Sequence, residues 1–173
     1  MGRPYTRYNS RMIPPQEQAV YDLLARLEIP YTRREHPPVY TVEQASRYDA
    51  ALPGVHCKNL FLRNKKGDQH YLAVLAVATQ VNLRELARRI GSSNLSFASP
   101  DRLARCLGVE SGAVGPFGLI NDSEKAVQVL LDRTLDGAEA VGFHPNVNTA
   151  TIMLPFNGLL KFLAWLGNKI IWI

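Results

Sequence analysis

The apolar positions fall into two spacings, and the switches between them divide the chain into elements. Val20, Leu23, Leu24 and Leu27 recur at helical intervals behind Pro14-Pro15, a pair suited to a first helical turn. Ile29-Pro30 ends that helix, because a residue before proline is pushed out of the α region. Residues 31–35 alternate weakly and predict a short strand, and His36-Pro37-Pro38 reads as a rigid loop. Thr41 with Gln44 forms a capping box, so a helix is expected from about Val42. Residues 58–63 and 70–77 predict two strands joined by a hairpin turn with Gly67. The second is apolar on both faces, as a central strand should be.

Asn82 with Glu85 is another capping box, opening a helix through Leu83, Leu86, Ala87 and Ile90 that Gly91 ends. Ser99-Pro100 opens one with Leu103, Ala104 and Leu107 on one face, closed by Gly108. Further strands are expected at 127–131, 140–143, 149–154 and 169–173, and a last helix at 159–166 with Asn157 as its available cap. Strands and helices mix without strict alternation. That predicts an α/β fold of mixed, α+β-like character, a mixed central sheet with surrounding helices rather than a doubly wound sheet.

Length and composition agree with one domain. The chain has 173 residues, of which 46% are hydrophobic and 20% charged. Residues 1–13 are polar and basic and read as a flexible N-terminal arm, leaving 14–173 as a single domain. No apolar run is long enough to span a bilayer, and no apolar h-region follows the basic start. Two cysteines are too few for a disulfide framework, so a cytoplasmic location is expected. The formal charge of +5 is compatible with a polyanionic partner and equally with an ordinary basic enzyme.

Candidate chemistry lies in three stretches. In Cys57-Lys58-Asn59-Leu60-Phe61-Leu62 a cation stands at the entrance of a core strand. Lys58 either snorkels into water or points into a pocket and meets an anionic or carbonyl group. Cys57, flanked by His56 and Lys58, has the cationic neighbours that activate a thiol, but strand neighbours point to opposite faces, so a small buried residue is the simpler reading. Residues 112–118 read Gly-Ala-Val-Gly-Pro-Phe-Gly: either a plain turn or a loop whose peptide N–H groups form an anion-binding nest. His144-Pro145-Asn146 is held extended at a strand end, where His144 can line a pocket or simply bond backbone. His36, His56, His70, His144, Cys57 and Cys106 show no metal-ligand spacing, so no metal is expected.

Taken in order, these stretches resemble the bacterial aminoacyl-tRNA deacylases related to the YbaK protein and to the editing insertion of prolyl-tRNA synthetase. The pieces that carry the resemblance are His36-Pro37 with Thr41-Val42-Glu43, Lys58-Asn59-Leu60-Phe61-Leu62, Ser96-Phe97-Ala98, residues 112–118, and His144-Pro145-Asn146 with Asn148-Thr149. The Lys-Asn-Leu-Phe-Leu run and Pro-Phe-Gly most resemble the free-standing ProX branch. The resemblance implies a trans-editing hydrolase that deacylates mischarged tRNA. Alanyl-tRNA(Pro) is the first expectation; cysteinyl-tRNA(Pro), or a non-catalytic tRNA-binding module, is the alternative. It implies Lys58 and the Gly112, Gly115 and Pro116 loop as the catalytic set. Asn59, Phe61, Phe97, Val114, Phe117, His144, Asn148 and Thr149 would bind substrate, and Val42 would be a further pocket wall. No cofactor is implied. The expected partners are tRNA and prolyl-tRNA synthetase, with phosphate contacts from Arg33, Arg34, Arg63, Lys65, Lys66, Arg84, Arg88 and Arg89. Chemically, the substrate ester needs an oxyanion stabiliser and an oriented water, which a ribose hydroxyl of the substrate can help place. The central expectation is that the Lys58 amine and the 112–116 peptide groups converge on one cavity.

Overall fold

The computed structural model describes residues 12–49 and 52–173. Most of the expected N-terminal arm, residues 1–11, lies outside the described residues, as does the side chain of Val42.

Helix α1 (Pro15–Arg26) starts on an extended Pro14 and turns Val20, Leu23 and Leu24 inward. Strand β1 (Thr32–Glu35) leads to α2 (Val42–Asp49). Its cap is reciprocal: the Thr41 hydroxyl accepts from the Gln44 N–H, and the Gln44 side chain accepts from the Tyr40 N–H. The hairpin is β2 (Val55–Arg63) and β3 (His70–Ala76), whose turn is wrapped around the Asn64 side chain. Then come α3 (Leu83–Arg89), capped by Asn82, the two-residue β4 (Ser96–Phe97), and α4 (Pro100–Leu107), capped by Ser99. A 3-10 turn (Pro116–Asn121) precedes β5 (Val127–Leu131). A second short 3-10 turn leads to β6 (Ala140–Phe143), β7 (Ala150–Pro155), α5 (Phe156–Leu166) and β8 (Ile170–Trp172).

The strands form one mixed sheet in the order β1-β7-β6-β2-β3-β5-β8, with β4 on β2. β2–β6, β3–β5 and β5–β8 are parallel and the other pairs antiparallel. β3 is central, as its continuous apolar run predicts. Leu72 and Val74 belong to the larger core with Leu24, Leu107 and Phe162, while Tyr71, Ala73 and Leu75 pack with Leu86 and Ala87 of α3 on the other face. Each fully buried Leu, Val or Phe contributes about 1.5–3 kcal/mol.

Three local expectations change. β2 begins three residues before Lys58, because Val55 and His56 find parallel partners in Val141 and Gly142. α5 starts at Phe156 on an extended Pro155 with no side-chain cap, so Asn157 lies inside the helix rather than capping it. The glycine-rich loop is only half a loop, since Pro116 sets its φ for the first residue of the 3-10 turn.

Candidate active site

The site is built on an opening in the sheet. On one side β2 is paired with β3 from Cys57 to Arg63. On the other it meets β6 only at Val55 and His56, and β4 only at Leu62 and Arg63. The residues between have no neighbouring strand on that edge among the described residues. The Val77 N–H donates to the His56 carbonyl, which turns the peptide groups of even-numbered residues toward β3. The Ala98 N–H donates to the Phe61 carbonyl on the other edge, so odd-numbered residues face outward. The Cys57 carbonyl and both main-chain groups of Asn59 therefore face the opening, the Cys57 N–H being used in the parallel pairing of His56 with Gly142.

Side chains alternate across the same strand. Cys57 and Phe61 pack on the larger core, and Asn59 shares their face. Its amide lies against Gly115: a Cβ built there would sit 3.7 Å from Asn59 Nδ2 and 3.7 Å from the His144 carbonyl oxygen. Gly115 is buried, and its N–H donates to no described residue. The Oδ1 of Asn59 is likewise buried without a partner. Buried polar groups are nearly always bonded, and leaving one unmet costs about 1–3 kcal/mol. Two such groups side by side, with main-chain groups of an open strand edge beside them, mark a place shaped for a polar ligand.

Loop 144–149 forms the next wall. The Val39 N–H donates to the Asn148 carbonyl at 3.1 Å, and Asn148 Nδ2 donates back to the Val39 carbonyl at 3.2 Å. Gly112 crosses this pair at φ +94, and a Cβ there would lie 3.3 Å from the Val39 oxygen. Asn146, itself left-handed, donates to the Phe117 carbonyl and fixes the loop to the 3-10 turn.

Two imidazoles stand behind the loop with centroids 5.4 Å apart. His36 Nδ1 lies 2.9 Å from the Pro37 carbonyl, so that nitrogen is the donor and Nε2 accepts from the Thr151 hydroxyl at 3.0 Å. His144 Nδ1 lies 2.9 Å from the Ala150 carbonyl and 3.4 Å from Thr151 Oγ1. Its Nδ1 also carries a proton, directed at the Ala150 carbonyl, which fixes the orientation of the ring. Thr151 was not among the expected site residues. Its one signal in the sequence is a hydroxyl within the otherwise apolar run 150–154.

The structure thus brings Asn59, Gly115 and His144 together, and Gly112 with Asn148. The Thr149 carbonyl accepts from the His36 N–H. Lys58 does not share that face. It points to the other side of the sheet, where Nζ donates to the Val77 carbonyl at 3.0 Å. The expected convergence of its amine on the 112–116 peptides is corrected by strand alternation, which gives that contact to Asn59. Pro116 is buried and has no N–H, so it shapes the turn and cannot donate to an oxyanion. Phe117 is a core residue, fully buried and edge-on to Phe143 and Phe162. Phe61 is buried too, stacked on His70, and Val114 packs against the same core. Phe97 is 63% exposed and pairs with Leu62, on the face away from Asn59.

Burial pushes the Cys57 thiol up to about 12, so it is no nucleophile at neutral pH. Among the described residues no cluster of His, Cys, Asp or Glu is placed to hold a metal ion. Arg33, expected at phosphate, is engaged within the chain. Burial disfavours its charge, but bonds to Glu35, Glu17 and Tyr21 outweigh that and raise its pKa. Arg33, Glu17 and Glu35 line a cavity of about 770 Å³ that also touches His36, Asn148 and Thr149. Its walls carry Glu17, Glu35 and Glu110 against one arginine, which disfavours a phosphate there. The unpaired amides at Asn59 and Gly115 lie outside it, and they define the reactive end better than volume does.

No helix among the described residues is long and apolar enough to cross a membrane. Residues 36–162 match the model of the aminoacyl-tRNA editing domain. The chain is 45% identical over 152 residues to the prolyl-tRNA editing protein ProX of Acetoanaerobium sticklandii, covering 88% of this chain and 93% of that one. It is 39% identical over 144 residues to the prolyl-tRNA synthetase associated domain-containing protein 1 of Danio rerio, covering 82% and 78%. A crystal structure described as a candidate trans-editing enzyme for prolyl tRNA synthetase shares the fold, with a TM-score of 0.67, 20% identity, and coverage of 91% and 96%. The chain therefore belongs to the aminoacyl-tRNA editing domain family, and its enzyme class is that of an aminoacyl-tRNA deacylase.

Proposed function

We propose that the protein hydrolyses alanyl-tRNA(Pro), removing alanine mischarged onto proline tRNA. The observation behind this reading is the buried Gly115, whose N–H donates to no described residue, beside the Asn59 Nδ2 donor, which is given no acceptor among the described residues either. A peptide N–H and a side-chain amide at one point are what a developing ester oxyanion requires, and losing one such donor typically reduces turnover about 10²–10³-fold. The Asn59 amide and the Gly115 N–H hold the carbonyl. Lys58, the next residue of β2 with its side chain on the other face of the sheet, supplies a permanent positive charge for the terminal phosphate or ribose. His144, held in one orientation, and Asn148 and Thr149 close the amino-acid end. The attacking water is placed with help from a ribose hydroxyl of the substrate.

Specificity is steric. The amino-acid end closed by His144, Asn148 and Thr149 is read as admitting a methyl side chain and excluding a proline ring by overlap. The Pro-Phe-Gly context and the similarity to a ProX protein favour alanine over cysteine. The tRNA is held by phosphate contacts, and this reaction belongs in the cytoplasm, beside prolyl-tRNA synthetase.

The test is deacylation of alanyl-tRNA(Pro) and cysteinyl-tRNA(Pro) by wild type, Asn59→Ala and Lys58→Ala. Wild type is expected to prefer the alanyl ester, with both variants slowed at least tenfold and still binding tRNA. Preference for the cysteinyl ester would reassign the substrate, and no turnover of either would overturn the reading. A 2′-deoxy terminal substrate cleaved at the normal rate would remove the ribose hydroxyl from the mechanism.

A further inference from the structure

Tyr40 is an aromatic side chain the fold does not use. It is 69% exposed, between a buried Val39 and the Thr41 cap. Its backbone is nonetheless pinned. The Tyr40 N–H donates to Gln44 Oε1 at 2.8 Å, and its neighbour Val39 is bonded at both N–H and carbonyl to Asn148. The ring leans over the glycine loop: Cδ1 lies 3.6 Å from where a Cβ on Gly112 would stand. A side chain at 112 would therefore touch the ring as well as the Val39 oxygen. An exposed aromatic on an anchored backbone, against a bare peptide turn, has the form of a stacking platform.

Its position says what it would stack. Gly115 lies three residues further along the same loop, no more than about 10 Å away even in extended chain. A single ribose separates an aminoacyl ester from the base of its own nucleotide. With the ester carbonyl at Gly115, the Tyr40 ring over Gly112 is within reach of that base. We propose that Tyr40 stacks on the 3′-terminal base of the aminoacyl-tRNA and so positions the ester, without touching the reacting atoms. The inference rests on the reading of residues 112–116 as the cradle of the aminoacyl end. It makes Tyr40 a positioning residue specific to the nucleic-acid part of the substrate. Stacking is indifferent to base identity, so the amino-acid end remains the part that is discriminated.

Two measurements test this and separate it from the deacylase reading. The first follows 2-aminopurine fluorescence at the 3′ terminus of an uncharged CCA-ended tRNA hairpin. Wild type and Tyr40→Phe should quench it on binding, and Tyr40→Ala should not. The second is steady-state hydrolysis of alanyl-tRNA(Pro) with a normal or an abasic terminal nucleotide. Tyr40→Ala should raise KM about 5- to 150-fold, the range matching about 1–3 kcal/mol per stacked base, with kcat within about twofold. Tyr40→Phe should restore wild-type KM. The abasic substrate should show the same penalty with wild type, and no added penalty with Tyr40→Ala. Quenching by Tyr40→Ala equal to wild type, or penalties that multiply, would overturn the proposal. Quenching by wild type with no hydrolysis of any aminoacyl-tRNA would retain the stack and overturn the deacylase reading. Since Tyr40 is exposed, unchanged far-UV circular dichroism is expected of each variant.

Discussion

Gly112 and Gly115 stand three residues apart and are glycines for different reasons. Gly112 has a φ of +94, which an L side chain adopts only with strain, and a Cβ would press on the Val39 oxygen. Gly115 has an extended φ of −174 that any residue adopts, and a Cβ there would meet only ordinary contacts at 3.7 Å. What it would meet, however, is the Asn59 amide and the His144 carbonyl. Gly115→Ala is therefore expected to melt within about 0.5 kcal/mol of wild type, as unstrained substitutions do. It should still lose at least tenfold in deacylation. Gly112→Ala should lose about 1–2 kcal/mol in stability as well. Thermal melts with initial rates on the same preparations check both, and a fully active Gly115→Ala would remove that glycine from the site.

Elements reveal which parts of the fold local pattern can show. The periodicity of α1, α3 and α4, the caps at Asn82 and Ser99, and the apolar run of β3 are local, and all appear where the spacing puts them. The start of β2 and the whole of β4 depend on partners far along the chain, Val141 for Val55 and Leu62 for Phe97, which no local spacing displays. The site divides the same way. Asn59, Gly115 and His144 are legible as residues, whereas the placing of Lys58 turns on strand parity. Neighbours in a strand cannot both face one loop, and only the contact of Asn59 with Gly115 shows which does. Asp132 is a device of this second kind. It sits at the end of β5 and accepts from the Ala76 N–H, the Thr79 hydroxyl and the Thr134 N–H. Burial alone would raise its pKa, but these bonds outweigh burial and hold it below the usual carboxylate range. A carboxylate with a depressed folded pKa stabilises above its unfolded value of about 3.9 and loses that contribution as pH falls through the folded value. Asp132→Asn, whose amide would set an NH₂ against N–H donors, is expected to cost about 1–3 kcal/mol at pH 7. The gap should narrow toward pH 3. Urea midpoints at the two pH values measure it, and a gap that held or grew in acid would contradict this account.

Charge decides how the whole molecule meets a polyanion. The net +5 is not spread over every basic residue equally. Arg33 is bound to Glu17 and Glu35, Lys66 to Asp68, and Arg102 to the Gly67 carbonyl and His70. Arg63 folds back on its own hairpin carbonyls. By contrast, Arg84, Arg88 and Arg89 of α3 are exposed and make no ion pair with a described residue. α3 packs on the face of β2 and β3 that also presents Lys58. A tRNA acceptor end entering the opening of β2 from that side would pass the three arginines before its terminal phosphate reached Lys58. Each phosphate neutralised releases counterions, so log K should fall against log salt with a slope of about −0.7 to −0.9 per contact. Changing Arg84, Arg88 and Arg89 together to Gln is then expected to flatten that slope by about 2–3. The change should raise KM for aminoacyl-tRNA at low salt and leave kcat near wild type, because none of the three reaches the ester. Changing Arg33 alone to Gln should leave the slope where it was and lower stability instead, since it leaves a buried Glu17 with the Tyr21 hydroxyl but without its cationic partner. A triple variant with the wild-type slope would move the tRNA to another face of the molecule, and would take from Lys58 the phosphate it is assigned.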